Sequence, residues 1–470
     1  MKLNKLVIAC GVLFAAGAGT QAFAADGKVH LYVSGASALE ISVQKAVAEM
    51  CDPALAISDR TFFKSANGNA YQCTSRTLHP SAPFTTAKVM DIRKRNGGGS
   101  GLGVMNVEQS ILTGFANPAS AACVVAANVT IGSLTWQQKT GCAEENLVPH
   151  AGVSDVEPAL FASQGYKGTL SASTPIVAQV FGVGVNDKLY RKLQVLQGIS
   201  EASGFLPANA PSLTNAQVRS LYTSDYKDWT LVNAGITDAG NTTTAAKVCR
   251  RVPTSGTQST FNALFLNNPC GFGPFGGALN PADNTGDDNL SNDAAVTNPA
   301  SSNTSTLGTA SYFAPTNPDG YTVVMNSGNG QVDACLTDAN VKGELALGYL
   351  GTERLSGASP SDDADGIADQ WHYVKLNGVY PSVDNTIAST YDSYAEATFN
   401  RRASGYTVDQ VSLMGKLPVL MGNPATIVSE GLLGLAALHT NGYDPTNAAH
   451  YPTLKGSRFG NTCRPTTLQY

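Results

Sequence analysis

Four times in this chain a short apolar segment runs into a turn of glycine and hydroxyl residues, and three of those turns lead on into helical spacing. In the clearest case Ala246–Arg250 has the pattern of a strand and Thr254-Ser255-Gly256-Thr257 that of a turn. Phe261, Leu264 and Phe265 then fall at the i, i+3, i+4 spacing of one buried helical face. His30–Val33 leads through Ser34-Gly35-Ala36-Ser37-Ala38 into a helix over Leu39–Met50. Val89–Arg93 leads through Asn96-Gly97-Gly98-Gly99-Ser100-Gly101 into a helix carrying Val104, Val107 and Ile111. Leu147–Gly152 leads into Val153-Ser154-Asp155. Strands alternating with helices predict an α/β fold with parallel sheets. In such sheets ligands lie beyond the carboxyl ends of the strands, where these turns are. A turn that opens a helix also gathers unpaired N–H groups and the positive end of the helix dipole, which favours an anion.

Elsewhere, Ser173–Asn186 is a nearly continuous apolar run, as in a strand buried on both faces. Leu213–Leu221 and Gln331–Ala339 read as helices, Glu344–Leu350 and Tyr373–Leu376 with Val379 as strands, and Ala425–His439 as a long helix. Residues 51–88 and 114–146 read as irregular excursions, and Asn280–Pro315 as a long polar loop.

Residues 1–24 have the parts of a signal peptide: basic Lys2 and Lys5, apolar Leu6–Ala18, and the small-residue motif Ala22-Phe23-Ala24. An exported protein, periplasmic or secreted, is therefore expected. No later run is long and apolar enough to insert into a membrane. Without Lys2 and Lys5, 28 basic side chains face 35 acidic ones, which argues against nucleic acid or an anionic membrane as partner. Eight cysteines follow Cys10, an even number suited to four disulfides in an oxidising compartment. Eight cysteines allow 105 pairings. Proximity in sequence suggests Cys51–Cys73, Cys123–Cys142 and Cys249–Cys270, leaving Cys335–Cys463. None stands in a C-x-x-C, so zinc and redox chemistry are not expected, and no cofactor or metal is implied.

The four turns can converge donors on one oxyanion: the hydroxyls of Ser37, Ser100, Ser255 and Thr257, with backbone N–H groups beside Ala38, Gly256 and Thr257. Arg251 supplies the counter-charge. Asp155 is an acceptor, which makes sense only for a ligand that carries a proton, as monohydrogen phosphate does and sulfate does not. His150 invites a triad with Ser154 and Asp155, but alternation along a strand makes it a structural histidine. The acidic stretch 362–369 lacks the alternating ligands of a calcium loop and reads as a solvated turn.

In order along most of the mature chain, these motifs resemble those of the periplasmic phosphate-binding proteins of bacterial ABC importers, within the type II periplasmic binding fold. Ser34-Gly35-Ala36-Ser37-Ala38 is similar to the family's opening loop, Gly99-Ser100-Gly101 to its Gly-Ser-Ser-Gly turn, and Gly152-Val153-Ser154-Asp155 to its Gly-Ala-Ser-Asp. Leu213-Thr214 to Trp229, Arg251 to Phe261, Gly328-Asn329-Gly330 and Leu347-Gly348-Tyr349 follow its later motifs. The resemblance implies two α/β lobes that close over a tetrahedral oxyanion, with a two-strand hinge and disulfide-closed insertions. Lobe one would comprise 25–178 and 391–470, and lobe two 179–390. A Cys335–Cys463 bond would then tether the lobes near the hinge. It implies ligand contacts from Ser37, Ala38, Ser100, Asp155, Arg251, Ser255, Gly256 and Thr257. It also implies a monomeric, non-enzymatic binding protein for phosphate or a similar oxyanion, serving an ABC transporter permease. One departure is Pro253, where the family often has an acidic residue that orients the arginine; proline can neither accept from the guanidinium nor donate an N–H. Two alternatives stay open: a secreted or surface protein that has left transport, and an exported phosphatase-like enzyme on the same scaffold.

Overall fold

The computed structural model describes residues 26–200, 204–236, 244–271, 277–283, 320–326, 328–352, 370–423, 432–435, 453–454 and 456–468. The expected signal peptide, the polar loop beyond residue 283 and the acidic turn 362–369 lie outside them. In chain order the first strands are β1 (Val29–Gly35), β2 (Thr61–Lys64), β3 (Gly68–Thr74), β4 (Val89–Arg95), β5 (Thr113–Ala116), β6 (Val124–Ile131), β7 (Leu134–Thr140), β8 (Glu144–Leu147) and β9 (Ala151–Ser154). They continue as β10 (Ala172–Asn186), β11 (Ser212–Leu213), β12 (Ala246–Arg251), β13 (Thr322–Asn326), β14 (Leu345–Gly351), β15 (Trp371–Tyr373) and β16 (Lys375–Leu376). The last are β17 (Tyr394–Arg401), β18 (Leu432–Leu435), β19 (Thr453–Leu454), β20 (Gly456–Ser457) and β21 (Thr467–Leu468).

One large sheet runs β13-β12-β14-β10-β17-β9-β1-β4-β3-β2-β7-β6. It is mixed, which corrects the expectation of parallel sheets. Two parallel groups, β4-β1-β9 and β13-β12-β14, are joined through β10 and β17, which run antiparallel to their neighbours. The uninterrupted apolar run makes β10 a single strand of 15 residues, buried from Ile176 onward. Its first part pairs with β17 and its last with β14. Ile176 and Val177 of β10, with Ala397 and Phe399 of β17, pack in the core of β1, β4 and the helix Glu40–Met50. From Ala178 on, with Tyr394 and Ala395, these strands pack in the core of β12, β14 and Phe261. The core changes at the same level in both strands, since Val177 lies opposite Ala397.

Several elements differ from expectation. Residues 51–88 contain the hairpin β2–β3, and 114–146 contain β5 to β8, so both excursions are built of strands and most of these join the large sheet. The helix after Ser100 ends at Gln109, where Ser110 turns left-handed at φ 56° and leaves Ile111 exposed. Within the stretch read as a helix over 425–439, Leu432–Leu435 is a strand paired with β10, and the remainder lies outside the described residues. A run of four apolar residues fits either period, and the open edge of β10 decides it. The helix in this region is Val408–Met421, started by a capping box of Thr407 and Gln410 and continuing through Pro418.

Disulfides close Cys51–Cys73 and Cys123–Cys142. The pairings Cys249–Cys270 and Cys335–Cys463 are corrected: Cys249 of β12 bonds Cys335 of the helix Asn329–Lys342, and Cys270 bonds Cys463. The helix lies on β12 and brings Cα of Cys335 within 6.0 Å of Cys249, a disulfide distance that sequence proximity does not foretell. The expected Cys335–Cys463 tether is thus absent, and a bond from Cys270 fastens the tail instead.

His150 is 5% exposed. Its ring stacks on Tyr32 at 4.7 Å, Nδ1 accepts from the Tyr32 N–H at 3.0 Å, and Nε2 meets Gln410 Nε2 at 3.0 Å. Ser154 Oγ is occupied elsewhere, donating to the Val156 carbonyl at 2.6 Å. Burial, reinforced by the charges of Arg402 and His30, pushes the His150 pKa down to about 3. Between that value and the ordinary 6.5, the unfolded chain binds a proton that the native chain refuses. The contribution of neutral His150 is therefore complete above the unfolded pKa and is lost as pH falls. The loss is about 2 kcal/mol from pH 6.5 to pH 5. His30 works oppositely: its hydrogen bond to Asp91 raises its pKa, so its contribution is present at low pH and fades as pH rises. Urea unfolding at both pH values is expected to show a smaller pH difference in His150→Asn, whose side-chain oxygen can still accept from Tyr32. Equal slopes in both proteins would refute this role.

Candidate anion-binding site

The carboxyl ends of β1, β4, β9 and β12 deliver the four turns noted in the sequence. Ser100 Oγ donates to Asp155 Oδ2 at 2.9 Å and accepts from the Asp155 N–H at 3.1 Å. Gly256, the first residue of the helix Gly256–Phe265, lies against this pair: a Cβ there would stand 2.5 Å from Ser100 Oγ and 2.7 Å from Asp155 Cβ. Only glycine permits that approach. Gly99 has φ 72°, and the Gly101 N–H donates to the Thr254 carbonyl at 2.9 Å, so the turn after β4 meets the turn after β12 backbone to backbone. Ser100 and Ser255 are wholly buried, and Asp155, Arg251 and Thr257 nearly so.

Arg251 ends β12, and its Nη1 donates to Thr257 Oγ1 at 3.3 Å and to Asn329 Oδ1. Both acceptors are neutral oxygens, and they hold the guanidinium in place. Asn329 thereby orients the arginine although position 253 is a proline. The Arg251 N–H donates to Gln258 Oε1 at 3.1 Å, which ties the end of the strand to the first turn of the helix. Arg250 faces the other way, with Nη1 on the Ala282 carbonyl and Nη2 on Met325 Sδ. Ser255 caps the helix by accepting from the Gln258 N–H at 3.4 Å. Phe261 and Phe265 stack at 4.6 Å and seat the helix on Tyr222 and Tyr349, which holds its N-terminus in place.

The structure thus brings together Ser100, Asp155 and Gly256 in one contact, with Ser255 against Gly99 and Arg251 with Thr257 beside it. Ser37 and Ala38 instead line an adjoining cleft of ≈ 410 Å³, together with Asn329. Two further residues bear on the site. Asn329 was legible only as part of a Gly-Asn-Gly motif. Lys94, wholly buried at the end of β4, donates through Nζ to the Gly35 carbonyl at 2.7 Å and to Asn96 Oδ1 at 2.9 Å, joining the first two turns. Burial drives its pKa down to about 7 against the pull of Glu40 and Asp155. Its only sequence signal is its place directly after the strand expected over Val89–Arg93.

No family model matches the chain, and no curated protein matches it. Among solved structures it is similar to a substrate-binding protein from Clostridium perfringens with bound phosphate, at 12% identity and TM-score 0.41, covering 86% of this chain and 99% of that one. It is also similar to an ABC-type phosphate transport receptor from Vibrio cholerae, at 11% identity and TM-score 0.39, covering 86% and 98%. A third such structure is PstS from Borrelia burgdorferi, at 9% identity and TM-score 0.35, covering 87% and 99%.

Proposed function

We propose that this chain is an exported solute-binding protein, not an enzyme, that takes phosphate or a similar protonated oxyanion and passes it, as a monomer, to an ABC transporter permease. Residues 1–24 would direct it to the periplasm. No helix among the described residues is long and apolar enough to cross a membrane. The observation that carries the reading is the buried Asp155 carboxylate, which accepts a hydroxyl proton from Ser100 while touching the start of a helix whose preceding strand delivers Arg251. Such a carboxylate rewards a ligand O–H and repels a bare oxygen. In this reading β10 and β17 form the hinge. Lobe one takes residues 25–178 and 391–470 and lobe two 179–390; the core changes near the first boundary, at Val177, while Leu433, Leu435 and Leu454 of the tail pack in the core of β12 and β14. Ligand would enter as the turns after β4 and β12 part.

Calorimetric titration at neutral pH tests this. Phosphate is expected to bind at least about a hundredfold more tightly than sulfate, since a like charge facing the carboxylate costs several kcal/mol. Asp155→Asn is expected to narrow that gap. Wild-type protein that prefers sulfate would remove Asp155 from the site.

A further inference from the structure

The cleft beside the anion donors is several times larger than four oxygens around one centre require. At ≈ 410 Å³ it falls within the range of sites for small organic molecules. Its wall mixes apolar and polar surface and carries little net charge: Ser37, Asn67, Asn96, Asn329 and Gln331 contribute a hydroxyl and carboxamides, with Lys64 and Glu40 alongside. Carboxamides both donate and accept, which matches ligand hydroxyls, since each of these does the same.

The cleft is also built to keep its shape. One wall is the tip of the β2–β3 hairpin, whose base is closed by Cys51–Cys73. Glu144 accepts from Ser65 Oγ at 2.9 Å and from the Asn67 N–H at 3.0 Å, and is itself held by Arg95 at 3.1 Å. The N–H groups of Asn96 and Gly97 donate to the Asn67 carbonyl at 2.7 and 3.1 Å, which locks the hairpin to the turn that leads to Ser100. A site whose polar groups are already anchored loses less ordering entropy on binding. Asn329 belongs to both places, since it lines the cleft and holds Arg251.

We propose that the cleft holds the hydroxyl-bearing organic part of the ligand, so that the preferred substrate is a phosphate monoester of a small polyol or sugar. This rests on the anion-binding reading above: Arg251 and the Ser100–Asp155 pair take the phosphate group, and the amide wall takes the rest. A monoester has two ionisable oxygens, and the second gives up its proton at about pH 6, so below that pH its monoanion still offers a proton to Asp155.

Titration of the full chain at about pH 5.5, where the monoesters are largely monoanions, with inorganic phosphate, glycerol 3-phosphate, glucose 1-phosphate and glucose tests it, using wild type, Asn67→Ala and Lys64→Ala. At least one monoester is expected to bind about tenfold more tightly than inorganic phosphate, as one or two added hydrogen bonds supply. Both variants should lose that advantage while keeping the affinity for inorganic phosphate. Inorganic phosphate binding as tightly as every monoester, with no selective effect of either variant, would overturn the ligand class and leave the anion reading standing. Binding of neither phosphate nor any monoester, with or without glucose binding, would overturn the anion reading and this inference with it.

Discussion

The double substitution Cys270→Ser, Cys463→Ser is expected to lower the unfolding free energy of the oxidised chain by about 5 kcal/mol, the chain-entropy value for so long a loop. The bond spans a sequence separation of 193 and is the longest of the four. It joins the segment after the helix Gly256–Phe265 to a tail that is also held by buried Leu454 and by polar contacts to Glu396 and Glu157. Glu396 of β17 accepts from Ser457 Oγ, the Arg458 N–H and the Gly460 N–H at 2.6 to 2.8 Å. Glu157 accepts from both the N–H and the hydroxyl of Thr462 at 2.7 Å. Because those contacts persist, the variant should keep its native fold and show its loss in the reference state. Guanidinium unfolding of oxidised wild type and variant measures this, and coincident midpoints would refute it. Thiol mapping adds a sharper check: Cys463→Ser alone should expose Cys270 to alkylation and leave Cys335 bonded to Cys249.

Arg251→Ala is expected to weaken phosphate binding by about two to three orders of magnitude, since removing one partner of a buried charge-assisted contact costs about 2–5 kcal/mol. The side chain is 4% exposed and aimed by Thr257 and Asn329, so water cannot replace it. Arg251→Lys should recover part of the loss, because it keeps the charge but not the planar fork. Arg250→Ala should lower stability instead, as Arg250 contacts Ala282 and Met325, and should leave phosphate affinity close to that of wild type. Calorimetry with circular dichroism as a folding control separates these effects. Equal losses of affinity in both alanine variants would exclude Arg251 as the specific counter-charge.

Local physics made much of this chain legible in its sequence. Two helices expected from their apolar spacing are present, capped by Thr214 and Ser255, the second starting at Gly256 within the stretch read as a turn. The buried faces of Phe261 and Phe265, the strand ends that carry Ser100, Asp155 and Arg251, and the opposed directions of Arg250 and Arg251 follow from periods of 3.6 and 2. What only the tertiary structure decided is what depends on which distant segments meet. The sequence identifies β10 as buried but not that its two parts serve different neighbours, because a strand's backbone groups accept any partner at the right spacing. Cys249 lies 86 residues from Cys335 and within 6.0 Å of it in space, a proximity created by a helix lying on its sheet. Leu432–Leu435 is a strand because β10 offers it an edge, and Lys94 matters because two turns meet at its ammonium group. In the same way Asn329 reaches Arg251 from 78 residues away, through a contact that no local pattern encodes.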